Sequence, residues 1–146
     1  MNFKTIFAML VCGVCLGALA DQTESGPVIH IDHEQVATAF AKGTPIVVTN
    51  NFKVQTGNRT GPGEVEIHER DTDIFYILEG SATFVTGGQP VEAKVTGPGE
   101  TRARKMTGGE EHHLTKGDVI VIPNGVPHWF KEVPEHVVYY VVKVTR

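Results

Sequence analysis

The sequence predicts an all-β domain, a sandwich or a barrel, with one short helix near its N-terminus. Three observations carry this. Short runs rich in Val, Ile, Phe and Tyr alternate with turn residues at intervals of roughly 8–12 residues. Glycine and proline are frequent, 16 and 8 of 146 residues, which suits many turns better than a helical bundle. No strand–helix alternation marks a parallel α/β sheet. A 40% apolar content supports a packed core.

Taken in order, residues 1–20 read as a secretory signal peptide. Lys4 supplies the positive start, Ile6 to Leu16 is an uncharged apolar run, and Ala18-Leu19-Ala20 is a small-x-small cleavage site. The run is short for a membrane span, which needs about 20 apolar residues. Both cysteines, Cys12 and Cys15, lie inside this segment, each preceded by Val rather than the small residue a lipoprotein signal requires. The expected mature chain therefore has no thiol, no disulfide, no Cys nucleophile and no lipid anchor. It is secreted or periplasmic, with no membrane contact after cleavage. Asn58-Arg59-Thr60 is a glycosylation sequon by pattern. A formal net charge of −4 argues against a nucleic-acid binder, which needs a basic face.

Residues 21–45 form an N-terminal segment whose Asp32 to Ala41 stretch is the expected helix. Asp32 caps it, Gln35 completes a capping box, and Gly43 and Pro45 end it. From residue 46 to 146 the period changes to two. Strands are expected at Ile46–Val48 and Phe52–Gln55, followed by a glycine-rich loop from Gly57 to Gly63. Val65–His68, Ile74–Leu78 and Ala82–Val85 follow, separated by turns at Asp71-Thr72 and Glu79-Gly80. Val91–Val95 leads into a polar stretch with Arg102, Arg104 and Lys105. Glu111–Leu114, Val119–Ile122, His128–Lys131 and Val137–Val144 complete the strands.

Two clusters carry chemistry. The first is Glu66-Ile67-His68, four residues, Asp73, six residues, Gly80. On a strand Glu66 and His68 share a face, and Asp73, opening the next strand of a tight hairpin, turns back towards them. Imidazole plus carboxylates suits Fe(II), Mn(II) or Zn(II). The second is Gly117, five residues, Pro123, one residue, Gly125, two residues, His128, where the turn fixes the histidine at a strand start.

Together the clusters resemble the cupin superfamily. Its first motif is Gly, five residues, His-x-His, three or four residues, Glu, six residues, Gly; its second is Gly, five residues, Pro-x-Gly, two residues, His, three residues, Asn. The second motif is matched through His128, with Glu132 at the last place. In the first, Glu66 stands at the first His, His68 at the second His, Asp73 at the Glu and Gly80 at the Gly; Gly61 is one residue off the leading Gly. The resemblance implies a double-stranded β-helix or jelly-roll barrel with a divalent metal inside, held by Glu66, His68, Asp73 and His128. Two carboxylates harden such a site, favouring Mn or Fe, with Zn as an alternative. The function expected is metal-dependent chemistry on a small organic molecule, Glu66 serving as fourth ligand or as catalytic general base. The reaction type does not follow from the fold. The rival readings are a metal-free barrel that binds a sugar or organic acid without catalysis, and a structural barrel whose mouth is filled. Single-barrel cupins often pair, so a homodimer is expected.

Other residues read more simply. His112 and His113 face opposite ways on an exposed hairpin, and His30, His33 and His136 read as surface histidines. Arg70, Arg102, Arg104 and Lys105 read as solvated turn and hairpin residues, although the last three would suit an anion at the barrel mouth. Most of Phe75, Tyr76, Phe84, Trp129, Phe130, Tyr139 and Tyr140 belong in the core, with Phe130 on the same face as His128.

Overall fold

A computed structural model describes residues 26–146; the expected signal segment lies outside them. Helix α1 (His33–Lys42) forms where the caps demand it. Asp32 accepts from the Gln35 amide at 2.8 Å, the Gln35 side chain accepts from the Asp32 amide at 3.2 Å, and Gly43 closes the helix at φ 63°.

Twelve strands follow among the described residues: β1 (Pro45–Val48), β2 (Phe52–Arg59), β3 (Val65–His68), β4 (Asp71–Thr86), β5 (Gln89–Val91), β6 (Lys94–Gly97), β7 (Glu100–Ala103), β8 (Lys105–Thr107), β9 (Glu110–Thr115), β10 (Val119–Ile122), β11 (His128–Glu132) and β12 (Val137–Thr145). Ten of them make one antiparallel sheet in the order β1-β2-β12-β4-β11-β3-β7-β6, with β9 and β10 also paired to β4; β5 and β8 pair separately. The sheet curls into a half-barrel, so the fold is the all-β jelly roll expected, with one short N-terminal helix.

Strand β4 is the spine of the curl. Its first part pairs with β12 and β10, its second part with β9 and β11. The expected turn at Glu79-Gly80 is instead a bend within this single 16-residue strand. Gly80 sits there at φ 74°, and a Cβ on it would lie 1.9 Å from the His136 carbonyl oxygen. Only glycine combines that backbone with so close an approach, so the chain passes from one layer to the other without breaking.

Other boundaries also move. Strand β2 runs through Gly57 to Arg59, where a loop was expected, because Tyr139 packs its ring where a Cβ of Gly57 would be. The expected Val91–Val95 strand splits at Glu92, which has φ 53°. The polar stretch after Gly99 is strand, β7 and β8. Strands β3 and β4 do not form a hairpin: β3 pairs with β7 and β11, whereas the start of β4 pairs with β12 and β10. Asp73 therefore approaches Glu66 and His68 across the barrel, from the opposite layer.

The core is aromatic. Phe75, Phe84, Phe130 and Tyr139 are buried with Ile77, Ile122 and Val137. Phe84 and Phe130 meet edge-on at 4.7 Å, and Phe130 stacks on Tyr139 at 5.1 Å. Tyr76 departs from the expectation, being 45% exposed. The apolar core ends against the His128 ring, which stacks on Phe84 at 6.0 Å.

Candidate metal centre

Two cross-strand pairs build the centre. The register of β11 on β3 sets His128 opposite Glu66, and that of β12 on β4 sets Lys143 opposite Asp73. His68, two residues after Glu66, joins them from the same face of β3. The turn of the second motif locks the first: the Gly125 amide donates to the His68 carbonyl at 2.7 Å, and the Asn124 side chain donates to the Glu69 carbonyl at 2.9 Å. Gly125, at φ 81°, has the left-handed backbone this turn requires.

Each imidazole has one nitrogen committed and one aimed inward. His128 Nδ1–H donates to the Val126 carbonyl at 3.1 Å, leaving Nε2 buried with no hydrogen-bond partner. His68 Nδ1–H donates to Glu100, 2.8 Å from Oε2. Glu66 is fixed similarly: Oε1 is paired with Arg102 and lies 3.7 Å from Arg59 Nη2. Its Oε2 lies 3.4 Å from His68 Nε2 and 3.9 Å from His128 Nε2. These separations are long for hydrogen bonds. They suit edges of a metal polyhedron, since donors at 2.0–2.2 Å from one ion lie about 3.0–3.5 Å apart. One atom from each of Glu66, His68 and His128 falls within 4.8 Å of the others, a His2Glu cluster able to coordinate a divalent metal. The orphaned His128 Nε2 and the pinned outer nitrogen of each ring are features such a site requires.

Asp73, expected as the fourth donor, is 1% exposed, with Oδ2 3.4 Å from His68 Nε2 and 3.6 Å from His128 Nε2. Lys143 Nζ donates to that oxygen at 2.6 Å and to His68 Nε2 at 2.8 Å, while Asp73 Oδ1 has no partner.

The charges respond to this packing. Burial opposes ionisation of Glu66, yet His68 and Arg102 outweigh it and hold its carboxyl down to about 2. Burial and Lys143 oppose the His68 cation, whereas the carboxylates of Asp73 and Glu66, each 3.4 Å away, favour it and raise the imidazole. Two full cations do not meet at 2.8 Å, so His68 and Lys143 share one N–H···N hydrogen bond. Burial lowers the His128 imidazole and keeps its Nε2 lone pair free. Asp73 is lowered against the cost of its burial by His68 and Lys143.

A cavity of about 240 Å³ adjoins the centre, walled by Glu66, Asp73, His128, Arg59, Phe130 and Tyr139 among others. Phe130 lines it as expected. Arg59 Nε donates to the Tyr139 hydroxyl at 3.1 Å, its guanidinium 5.0 Å from the Phe130 ring centroid. Burial pushes the Tyr139 phenol up.

Arg102 corrects one expectation: it is not a solvated hairpin residue but an ion-pair partner of Glu66 and Glu100. Arg70, Arg104 and Lys105 are exposed. His112 bonds Thr86 at 2.8 Å, His136 pairs with Glu79 at 3.2 Å, and His30, His33 and His113 are exposed. Glu100, Arg59 and Lys143 went unread in the sequence. The one available signal was that Glu100 and Arg102 alternate on a strand.

A jelly roll enclosing a His2Glu cluster defines the class of protein. A profile of the family described as Cupin matches residues 22–146, and the chain belongs to that family. Among solved structures, a conserved protein of unknown function from Streptococcus pyogenes is similar at 16% identity and TM-score 0.50, over 70% of this chain and 71% of that one. An uncharacterised double-stranded β-helix protein from Klebsiella pneumoniae matches at 18% identity and TM-score 0.50, over 70% and 74%. A DMSP lyase from Ruegeria pomeroyi matches at 17% identity and TM-score 0.47, over 66% of this chain but 39% of its own length. The first two likenesses concern the fold alone. No curated protein matches the chain.

Proposed function

We propose that the protein is an exported cupin that binds a divalent metal through Glu66, His68 and His128, with Asp73 in reserve, and acts on a small organic molecule in the adjoining cavity. The observation that carries the reading is the convergence of three donor atoms within 4.8 Å, one of them a buried, unpartnered imidazole nitrogen. Imidazole nitrogen with carboxylate oxygen favours Mn or Fe, with Zn as an alternative. When bound, such an ion supplies Lewis-acid polarisation of a substrate oxygen.

The chain's own residues do the rest. Arg102 fixes Glu66 Oε1 and leaves Oε2 facing inward. A carboxyl held near 2 is a weak general base, since an efficient one titrates near the working pH; this favours Glu66 as ligand over Glu66 as base. Phe75, Phe130 and Val141 on the cavity wall exclude water from one side of the centre. The N-terminal signal features support export, to a periplasm or beyond the cell.

Elemental analysis of protein purified without chelator or metal-affinity resin tests the reading. Near-stoichiometric Mn, Fe or Zn, lost in His68→Ala and His128→Ala with the far-UV spectrum unchanged, is expected. A parent that holds none and takes none up would favour a second reading, a metal-free barrel binding a sugar or organic acid. Lys143 against Asp73 and His68 is the observation favouring that alternative.

A further inference from the structure

We propose that Lys143 is a tethered competitor for the metal seat, an internal cation that must withdraw from His68 and Asp73 before an ion can be held. The inference deepens the metal-binding reading and rests on it. Lys143 Nζ lies 2.8 Å from His68 Nε2 and 2.6 Å from Asp73 Oδ2. An imidazole nitrogen has one lone pair. Nε2 of His68 can accept the lysine proton or bind a metal, and it cannot do both. Its other nitrogen is committed to Glu100, 2.8 Å away, so the ring has no spare atom. The ammonium also spends the Asp73 oxygen that faces both imidazoles. A second positive charge entering beside it would meet direct repulsion in a poorly solvated site.

Placement is a property of the sheet and not of a wandering surface side chain. Lys143 is the register partner of Asp73, and its side chain is 13% exposed. It also has somewhere to go. A second, largely open cavity of about 290 Å³ is also lined by Lys143, together with His68, Asp71, Glu100, Lys53 and Arg102. Rotation of the long aliphatic stem carries the ammonium out of the centre into this open, solvent-reachable space, where water solvates it. Once it leaves, His68 Nε2 and Asp73 Oδ2 become free together, and the three-donor cluster gains a fourth donor. Metal affinity is thus set by the competition between an ion and a lysine.

The test titrates Mn(II) and Zn(II) calorimetrically into the chelator-stripped parent and into Lys143→Met, which keeps the length of the stem. The variant is expected to bind at least tenfold more tightly. Equal or weaker affinity in the variant, with binding abolished in His128→Ala, would overturn the role of Lys143 and leave the metal reading standing. Uptake by Lys143→Met alone would sustain the role of Lys143 and overturn metal binding by the parent. No uptake by either would overturn both. Because Met leaves the buried Asp73 unpaired and the variant can fail to fold, a second measurement uses the parent. The ¹⁵N–¹H signal of the Lys143 ammonium, assigned by its absence from Lys143→Arg, is expected to vanish or shift with one equivalent of Zn(II). An unmoved signal while the His128 imidazole resonances shift would overturn the proposal.

Discussion

His68 is held from both sides of its ring, by Glu100 at Nδ1 and by Lys143 at Nε2. The two contacts act oppositely on an incoming ion. Glu100 fixes the tautomer that presents a lone pair at Nε2, while Lys143 consumes that lone pair. Glu100 is therefore a positioning residue. Replacing it with Gln removes the carboxylate charge but keeps the shape, and partners of this kind are worth roughly 10–100-fold in metal affinity. A fall in Zn(II) affinity of that order in Glu100→Gln, measured calorimetrically with the circular dichroism spectrum unchanged, is the expected outcome. It is opposite in sign to the expected effect of Lys143→Met.

At the scale of the element, Gly80 decides whether β4 remains one strand. With φ 74° and the His136 carbonyl oxygen 1.9 Å from where a Cβ would be, Gly80→Ala strains the backbone and clashes with the chain entering β12. The left-handed backbone alone costs an L-residue about 1–2 kcal/mol, and the clash adds to it. At about 3 °C per kcal/mol for a domain of this size, a fall in Tm of roughly 10 °C is expected by differential scanning calorimetry.

Gly80 also shows what could be read from the sequence. Its place in the first motif was legible, and so was the convergence of Glu66, His68 and His128, because motif spacing is local. The helix was legible from Asp32 and Gln35, whose capping contacts span three residues. Glycine was misread wherever its cause is tertiary. Gly57 looked like a loop residue, but it is a gap for the ring of Tyr139, which pairs with it from β12. Lys143 was invisible for the same reason. Its meaning is a register with Asp73, 70 positions away, set by neighbouring pairs rather than by its own surroundings. The hairpin expected between β3 and β4 failed because adjacency in sequence does not decide which layer a strand joins.

At the scale of the molecule, the sheet carries apolar residues on both faces. Alternation buries Phe75, Ile77, Tyr139 and Val141, and leaves Tyr76, Val119 and Val121 outside at 45%, 59% and 55% exposure. Val119 stands opposite Tyr76 in the ladder, so these side chains adjoin. Helix α1 covers only the neighbouring part, where Phe40 meets Tyr140 at 5.1 Å. An antiparallel sheet with one solvated face is normally polar there, and a contiguous apolar patch marks an interaction surface. We expect a second copy of the chain to cover this face. Light scattering is expected to give a dimer mass for the parent and a monomer mass for Val119→Lys/Val121→Lys; a monomeric parent would remove the idea.

Strand β12 follows every other described strand in sequence, yet it lies between β2 and β4. During vectorial synthesis a chain emerging up to residue 136 holds both flanking strands and lacks the one that joins them. The barrel cannot shut until the final strand is delivered, and Lys143 arrives with it.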